Sequence, residues 1–132
     1  MLGSTEDHAL LYDDAAPEAL QGRLRAAGVA ERVVKLAEPA CRVQADGVDA
    51  VVTAQPVAGV VDTTAAGDSF SAAYIAARLG GADPIAAARA GHTLAGAVIR
   101  HCGAVIPRSA MPDMRLHPRP LPPVPESGDL RA

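Results

Sequence analysis

The chain has 132 residues, enough for one domain, and its formal net charge is −3 with no long run of one sign. This charge distribution argues against a nucleic-acid-binding protein and against a polybasic membrane patch. Much of the 49% hydrophobic content is alanine and valine, and only 2% of the residues are aromatic. Small side chains bury little area per residue, so we expect an isolated domain of this size to be marginally stable.

The sequence shows no sign of secretion or of membrane insertion. We recognise neither a signal peptide nor an apolar stretch of about 18 residues, and we therefore predict a cytoplasmic protein. Cys41 and Cys102 lie in apolar neighbourhoods and are interpreted as reduced, packed thiols, with a disulfide left open but unsupported. The histidines His92 and His101 form no zinc pattern with Cys102, and no divalent-metal ligand is identified.

The first half of the chain predicts one helix and three strands. Residues 1–12 show no clear period. Pro17 suits a first helical turn and begins a predicted helix over residues 17–27. Strands are predicted over three segments. Residues 31–36 and 48–54 contain short apolar stretches with neighbouring valines, and residues 40–45 alternate between apolar and polar side chains. Asp46-Gly47 is a hairpin turn signal, so the last two strands are expected to form an antiparallel hairpin at the edge of a larger sheet.

The second half of the chain predicts two helices. A short extended piece over residues 57–61 is expected to lead into a helix over residues 66–79. Asp83 followed by Pro84 is typical of a helix start, and the second helix is expected to continue to about residue 101. Its alanines and glycines predict close packing against a neighbouring helix.

The end of the chain is rich in proline, which forbids regular structure and favours extended geometry. We predict a domain over residues 1–115 and a disordered tail over residues 116–132. A ligand for a proline-reading domain is conceivable, but an inert tail is the preferred interpretation.

The clearest chemical signal is the sequence DTTAAGDSF over residues 62–70. Backbone N–H groups at a helix start lack partners and carry partial positive charge, and small residues leave room for a phosphate to approach them. Asp68, in the first turn, would then place a carboxylate beside the bound anion. That position suits a group that accepts a proton from a hydroxyl attacking phosphorus.

A lone aspartate before a helix is more often a cap. Here Asp62 and Asp68 bracket the run TTAAG, which a cap does not require. We therefore favour the anion site over the cap.

Residues 62–71 resemble the second signature of the PfkB/ribokinase family of sugar kinases. The resemblance implies that Asp68 is the catalytic base. It implies an anion hole made of three residues: Ala65, Ala66 and Gly67. It also implies a monovalent cation site, with K⁺ as the candidate, at two residues: Asp62 and Thr64.

The resemblance extends over residues 3–112. It implies ATP and Mg²⁺ as cofactors, a small sugar or sugar-acid substrate, and four nucleotide-binding residues: Lys35, Ala37, His92 and Gly103. The implied fold class is α/β, the C-terminal part of a ribokinase-like three-layer α/β/α fold with an edge β-hairpin and a disordered tail. The phrases around residues 65–72 and 103–112 are most similar to those of 2-keto-3-deoxygluconate kinases, a branch of this family.

Two features depart from the family pattern. Ala37 occupies a turn position where the family usually has glycine, which predicts weakened nucleotide binding because a Cβ restricts left-handed conformations. Family members are about twice this length or more, and we recognise neither the sugar site nor the acidic Mg²⁺ motif in these residues.

The sequence therefore predicts ATP-dependent phosphorylation of a sugar or sugar-acid hydroxyl, with an isolated chain that is inactive and poorly soluble. The alternatives are a remnant that at most binds nucleotide, or one half of a split kinase that is completed by an N-terminal chain. A full-length form could also be a homodimer.

Overall fold

A computed structural model describes residues 1–13, 16–36 and 38–114. The strands are β1 (Leu2–Ser4), β2 (Arg32–Lys35), β3 (Ala40–Ala45) and β4 (Val48–Thr53). The helices are α1 (Thr5–Tyr12), α2 (Pro17–Ala26), α3 (Ala66–Leu79), α4 (Pro84–Val98) and a short 3₁₀ helix (Arg108–Ala110). Ala37, the predicted boundary at residue 115 and the predicted tail lie outside the described residues. Within those limits no helix is both long and apolar enough to cross a bilayer.

The strands form one mixed sheet in the order β1-β2-β3-β4. Strand β1 runs parallel to β2, whereas β2, β3 and β4 pair antiparallel. Asp46 (φ 51°) and Gly47 (φ 78°) join β3 to β4 with the two positive φ angles of a tight hairpin turn. The predicted edge hairpin is confirmed.

Alternation along β2 sends neighbouring valines to opposite faces of the sheet. Val33 belongs to a buried cluster shared with α3 and α4. Val34 faces the other way, and there α2 covers the sheet: Leu20 is buried, and its Cδ2 lies 3.7 Å from the position of a Cβ on Gly3. Helices thus cover both faces, as the predicted three-layer arrangement requires.

The main core lies on the α3–α4 side. Its buried members are Val33, Cys41, Val43, Val52, Phe70, Tyr74, Ala77, Ala87 and Ala88. Burial raises the pKa of the Cys41 thiol to about 12, so this thiol acts as a small hydrophobe. Cys102 is exposed, and the prediction that it is packed is wrong.

Helix α1 lies in the segment where the sequence shows no clear period. It has no apolar stripe, because Leu10 and Leu11 are both exposed. A cap starts it instead: Ser4 Oγ accepts a hydrogen bond from the Asp7 backbone N–H at 3.1 Å. The Ser-x-x-Asp spacing was the available signal.

One prediction needs correction at the end of α4, which ends at Val98 instead of about residue 101. Beyond Val98 the N–H groups of Arg100 and His101 bond the carbonyls of Ala97 and Val98, three residues back, so the α-helical pattern stops. The Ile99 carbonyl accepts hydrogen bonds from the N–H groups of Val61 (2.8 Å) and Asp62 (3.2 Å). The end of α4 therefore binds the loop that precedes α3.

Helices α3 and α4 approach each other closely. Gly91 is buried in α4, and a Cβ there would lie 2.7 Å from Cδ2 of Phe70. The predicted start of α4 is confirmed, because the Asp83 side chain accepts from the N–H groups of Ile85 and Ala86, both at 2.9 Å.

A polar network fixes the C-terminal end of α3. Arg78 Nη2 lies 2.8 Å from Oε2 of Glu31 and 2.7 Å from Oδ2 of Asp46. The Tyr74 hydroxyl donates to Oε1 of Glu31 at 2.8 Å. These bonds tie α3 to the start of β2 and to the hairpin turn, at the end of α3 remote from the DTTAAGDSF segment.

Candidate active site

The DTTAAGDSF segment forms the loop before α3 and the first turn of that helix. Ala65 is the N-cap residue and has a left-handed backbone (φ 60°, ψ 13°), which is uncommon for a residue other than glycine. The Ala66 N–H bonds the Thr63 carbonyl at 3.1 Å. In the part of the chain that the structure describes, no side chain caps this helix. Its start therefore presents backbone N–H groups that can bind an anion.

Lys35 lies beside this helix start. It is the last residue of β2 and lies on the same face of the sheet as Val33. Its Nζ is 3.4 Å from the Gly67 carbonyl oxygen. A Cβ on Gly67 would lie 2.9 Å from that Nζ, so glycine permits the close approach of the ammonium group.

A cavity of about 390 Å³ extends from Lys35 and Gly67 to α4. Its other walls come from described residues between β2 and β3, from residues 54–57 and 60, and from Phe70 and His92. A second hollow of about 650 Å³ adjoins it and is lined by Arg89 and Arg100. We take the smaller cavity as the candidate site because it alone of the two is lined by the start of α3.

His92 is fixed at the wall of the cavity. Its Nε2 lies 2.9 Å from the Val52 carbonyl oxygen, and its ring meets that of Phe70 edge-on with centroids 4.9 Å apart. Burial holds the pKa of His92 below its usual value, against a smaller opposing effect of the Val52 bond. The imidazole is therefore neutral at neutral pH and donates from Nε2 to Val52.

Asp62 joins two loops. Its Oδ1 accepts from the Thr64 N–H and its Oδ2 from the Gly103 N–H, both at 2.8 Å. Hydrogen bonds hold the pKa of Asp62 below its usual value. The largest effect comes from the Thr64 side chain, followed by the backbone N–H groups of Gly103 and Thr64. The link to Gly103 crosses 41 positions of sequence, which is why sequence reasoning missed it.

The predicted site residues thus fall into two groups. Lys35 and His92 line the cavity together with Ala66 and Gly67. Gly103 bonds Asp62 and is not among the residues that line the cavity.

The roles assigned to the individual residues stay predictions. The exposed Asp68 lies in the first turn of α3, and the K⁺ site at Asp62 and Thr64 rests on the resemblance alone. Ala37 lies outside the described residues. No group of three or more potential metal-binding side chains occurs in the described segments.

Comparison with known proteins assigns the family. Residues 5–111 match the pfkB family of carbohydrate kinases, and the chain belongs to that family. The 2-dehydro-3-deoxygluconokinase of Escherichia coli K12 is 44% identical over 110 residues, which are 81% of this chain and 36% of the relative. The chain therefore spans about a third of the length of this relative.

Solved structures agree on the fold. Adenosine kinase from Sinorhizobium meliloti superposes with a TM-score of 0.71 at 25% identity, over 83% of this chain and 33% of that one. A putative ribokinase II from Escherichia coli in complex with ATP and Mg²⁺ gives a TM-score of 0.68 at 27% identity, over 78% and 33%. The predicted ribokinase-like fold is confirmed.

Proposed function

We propose that this chain supplies the nucleotide and phosphoryl-transfer part of a kinase that phosphorylates a sugar-acid hydroxyl with ATP. The observation that carries the proposal is the uncapped start of α3, which lies beside Lys35 and opens onto a cavity. The name of the Escherichia coli relative supports 2-dehydro-3-deoxygluconate as the acceptor. The ribokinase II complex supports ATP and Mg²⁺.

The cavity suits a nucleotide in both of its parts. Its apolar walls, among them Phe70 and Val57, fit a base, and the end at Lys35 and Gly67 fits phosphate groups. Mg²⁺ would accompany the phosphates and neutralise part of their charge when bound. Ala65, Ala66 and Gly67 form the proposed anion hole that holds the transferred group.

Asp68 is the proposed base. In the transfer, the acceptor oxygen forms a bond to the γ-phosphorus, the bond from that phosphorus to the ADP oxygen breaks, and the hydroxyl proton passes to the Asp68 carboxylate. Positive charge and N–H groups at the start of α3 stabilise the negative charge on the phosphoryl oxygens. A carboxylate at this position is exposed and can reach a substrate that lies outside the cavity.

A chimeric enzyme tests this function. The matched segment of Escherichia coli 2-dehydro-3-deoxygluconokinase is replaced by the corresponding residues of this chain, and ADP release is measured with 2-dehydro-3-deoxygluconate. We expect turnover, and a loss of about 10²–10⁴-fold in kcat on Asp68→Asn, the usual contribution of a general base. Asp83→Asn is the control, because Asp83 also begins a helix but caps α4. Near-normal kcat in the Asp68→Asn chimera would refute the role of Asp68.

A second candidate function is nucleotide binding without transfer by the chain alone. It is favoured by one observation: Lys35, the start of α3 and His92 of α4 line a single cavity of about 390 Å³. Binding of ATP by the isolated chain, with no phosphoryl transfer to the sugar acid until the remaining two-thirds of a kinase is added as a second polypeptide, would support it.

A further inference from the structure

The hollow of about 650 Å³ adjoins the candidate site across the contact between Val57 and Gly96. A Cβ on Gly96 would lie 3.1 Å from Cγ2 of Val57, and both residues line both spaces. On the nucleotide side of this contact the walls are mainly apolar. On the other side, the described residues that line the hollow include two arginines, Arg89 and Arg100, and no carboxylate. The hollow therefore has the charge of an anion site.

Neither Arg89 nor Arg100 has an ion-pair partner in the part of the chain that the structure describes. The ion pairs found there use two other arginines, Arg42 and Arg78. Asp83 begins the same helix as Arg89, but its carboxylate accepts hydrogen bonds from the N–H groups of the cap. A guanidinium group without a carboxylate partner can bind a carboxylate or a phosphate through two parallel hydrogen bonds. Both arginines are therefore available to an anionic ligand.

The spacing of the two arginines sets the length of such a ligand. Arg100 follows Arg89 by eleven positions, and beyond α4 the chain continues in a turn in which the Arg100 N–H bonds the Ala97 carbonyl. At the rise of a helix, the two Cα atoms are about 17 Å apart. Between them the helix contributes small residues to the hollow, among them Thr93 and Gly96. A ligand that reaches both guanidinium groups must therefore be elongated and carry an anionic group near each end.

The length and the polarity of the hollow together fit one class of compound. In an extended six-carbon chain with a carboxylate at one end and a phosphate ester at the other, the two anionic groups lie about 9 Å apart. A guanidinium carbon stands about 4 Å from the group that it binds, so this ligand spans about 17 Å between two guanidinium groups. The wall opposite α4 carries Thr53 and Gln55, which can form hydrogen bonds with the hydroxyl groups of a sugar chain.

We propose that this hollow binds a phosphorylated sugar acid, whose two anionic groups are held by Arg89 and Arg100. The inference rests on the proposed function, because a phosphorylated sugar acid is the product of that reaction. The proposed transfer takes place at Asp68, which is not among the residues that line the hollow. The hollow is therefore a separate binding site for the product. A ligand in it lies against Val57 and His92, which also wall the nucleotide cavity.

The first test uses the chain without substitutions. A dicarbonyl reagent modifies arginine side chains, and mass spectrometry follows each arginine with ATP or one of three test compounds added. Of these, 6-phosphogluconate carries both anionic groups, gluconate the carboxylate alone, and sorbitol 6-phosphate the phosphate alone. We expect 6-phosphogluconate to slow modification of both Arg89 and Arg100 by tenfold or more, and the other two compounds to slow it less than threefold at the same concentration. Arg25, which is exposed in α2, should react equally in all samples. The measurement is repeated on the chimeric kinase, in which the rest of the fold is present.

Substitutions provide the second measurement, by calorimetric titration of the chain. Arg89→Met and Arg100→Met should each weaken binding of 6-phosphogluconate by at least tenfold and leave binding of ATP within twofold, which a general structural defect would not do. Lys35→Met should have the opposite effect and weaken ATP binding alone, because Lys35 lines the nucleotide cavity and not the hollow. Arg25→Met is the matched control, because it removes the same charge from another surface and should change neither affinity.

Three results would overturn the inference. They are no protection of either arginine in the chain and in the chimera, protection of one arginine alone, and equal protection of both by ATP, which would make the hollow part of the nucleotide site. A chimera that transfers phosphate to the sugar acid leaves the proposed function standing in each case. A chimera without turnover would overturn the proposed function, and protection of both arginines by 6-phosphogluconate would still identify the hollow as a separate anion site.

Discussion

The two helical layers of this molecule differ in how well they are packed. On the α3–α4 side, valines of the sheet, Phe70 and Tyr74 form a continuous buried core, and hydrogen bonds fix both ends of α3. On the α1–α2 side, Leu10 is 87% exposed and Leu11 74% exposed. The buried side-chain amide of Gln21 has no hydrogen-bond partner in the described part of the chain.

The better-packed side is also the side that carries the proposed functional residues. The residues proposed to bind nucleotide and transfer the phosphoryl group all lie on the well-packed side, which can hold them in fixed positions. The loosely packed side carries none of them. Stability and nucleotide binding should therefore respond to substitutions at the α3–α4 interface much more than to substitutions in α1.

The largest effect on stability is expected from Gly91→Ala. The new Cβ would lie 2.7 Å and 2.8 Å from Cδ2 and Cε2 of Phe70, and overpacking of this kind costs about 1–3 kcal/mol. Gly22→Ala in α2 is the control: nothing lies within 4 Å of its Cβ, so the helix should gain up to about 1 kcal/mol. Urea unfolding measures both. Equal effects of the two substitutions would break the contrast between the layers.

Glu31→Gln should lower the free energy of unfolding by about 1–2 kcal/mol at pH 7, because charged hydrogen bonds to Arg78 and Tyr74 are weakened. Hydrogen bonding by Arg78 is the largest cause that holds the pKa of Glu31 below its ordinary value. Because the pKa of Glu31 is lower in the folded chain than in the unfolded chain, its carboxylate stabilises the folded state at pH values above the ordinary pKa. This stabilisation is lost as the pH falls through the folded-state pKa. The difference between wild type and Glu31→Gln should therefore shrink below about pH 4.5. The exposed Glu18, changed to Gln, is the control; a difference independent of pH would contradict the assignment.

The smallest effect is expected from Leu10→Gln. This side chain is 87% exposed, and surface substitutions usually change the free energy of unfolding by less than about 0.5 kcal/mol. The soluble fraction of the purified chain should increase, because an exposed apolar residue is removed. A destabilisation above about 1 kcal/mol would show that α1 is packed in solution. That result would contradict the looser packing of the α1–α2 side.

Local patterns were enough to predict most of the framework. Neighbouring valines located β2 and β4, and alternation located β3. The Asp83-Pro84 pair located the start of α4. Helix α1 was missed because its short sequence has no apolar period, although Ser4 and Asp7 carry a capping signal.

Long-range contacts were beyond sequence reasoning. Nothing in the local pattern pairs Asp62 with the Gly103 N–H, or Ile99 with the residues that precede α3. The same holds for the approach of Lys35 to Gly67 across 32 positions. Motif resemblance selected Asp62 and Gly103, and Lys35 and Gly67, but only the fold shows that the members of each pair meet.

The central claim is that this chain forms a nucleotide site from its own residues. The most direct test is thermal unfolding of the purified chain with and without Mg·ATP. A ligand that binds only the folded state raises its stability, by about 2.7 kcal/mol at 100 times the dissociation constant. We predict one cooperative transition whose midpoint rises with Mg·ATP. A chain with no cooperative transition, or with a midpoint indifferent to Mg·ATP, would contradict the claim.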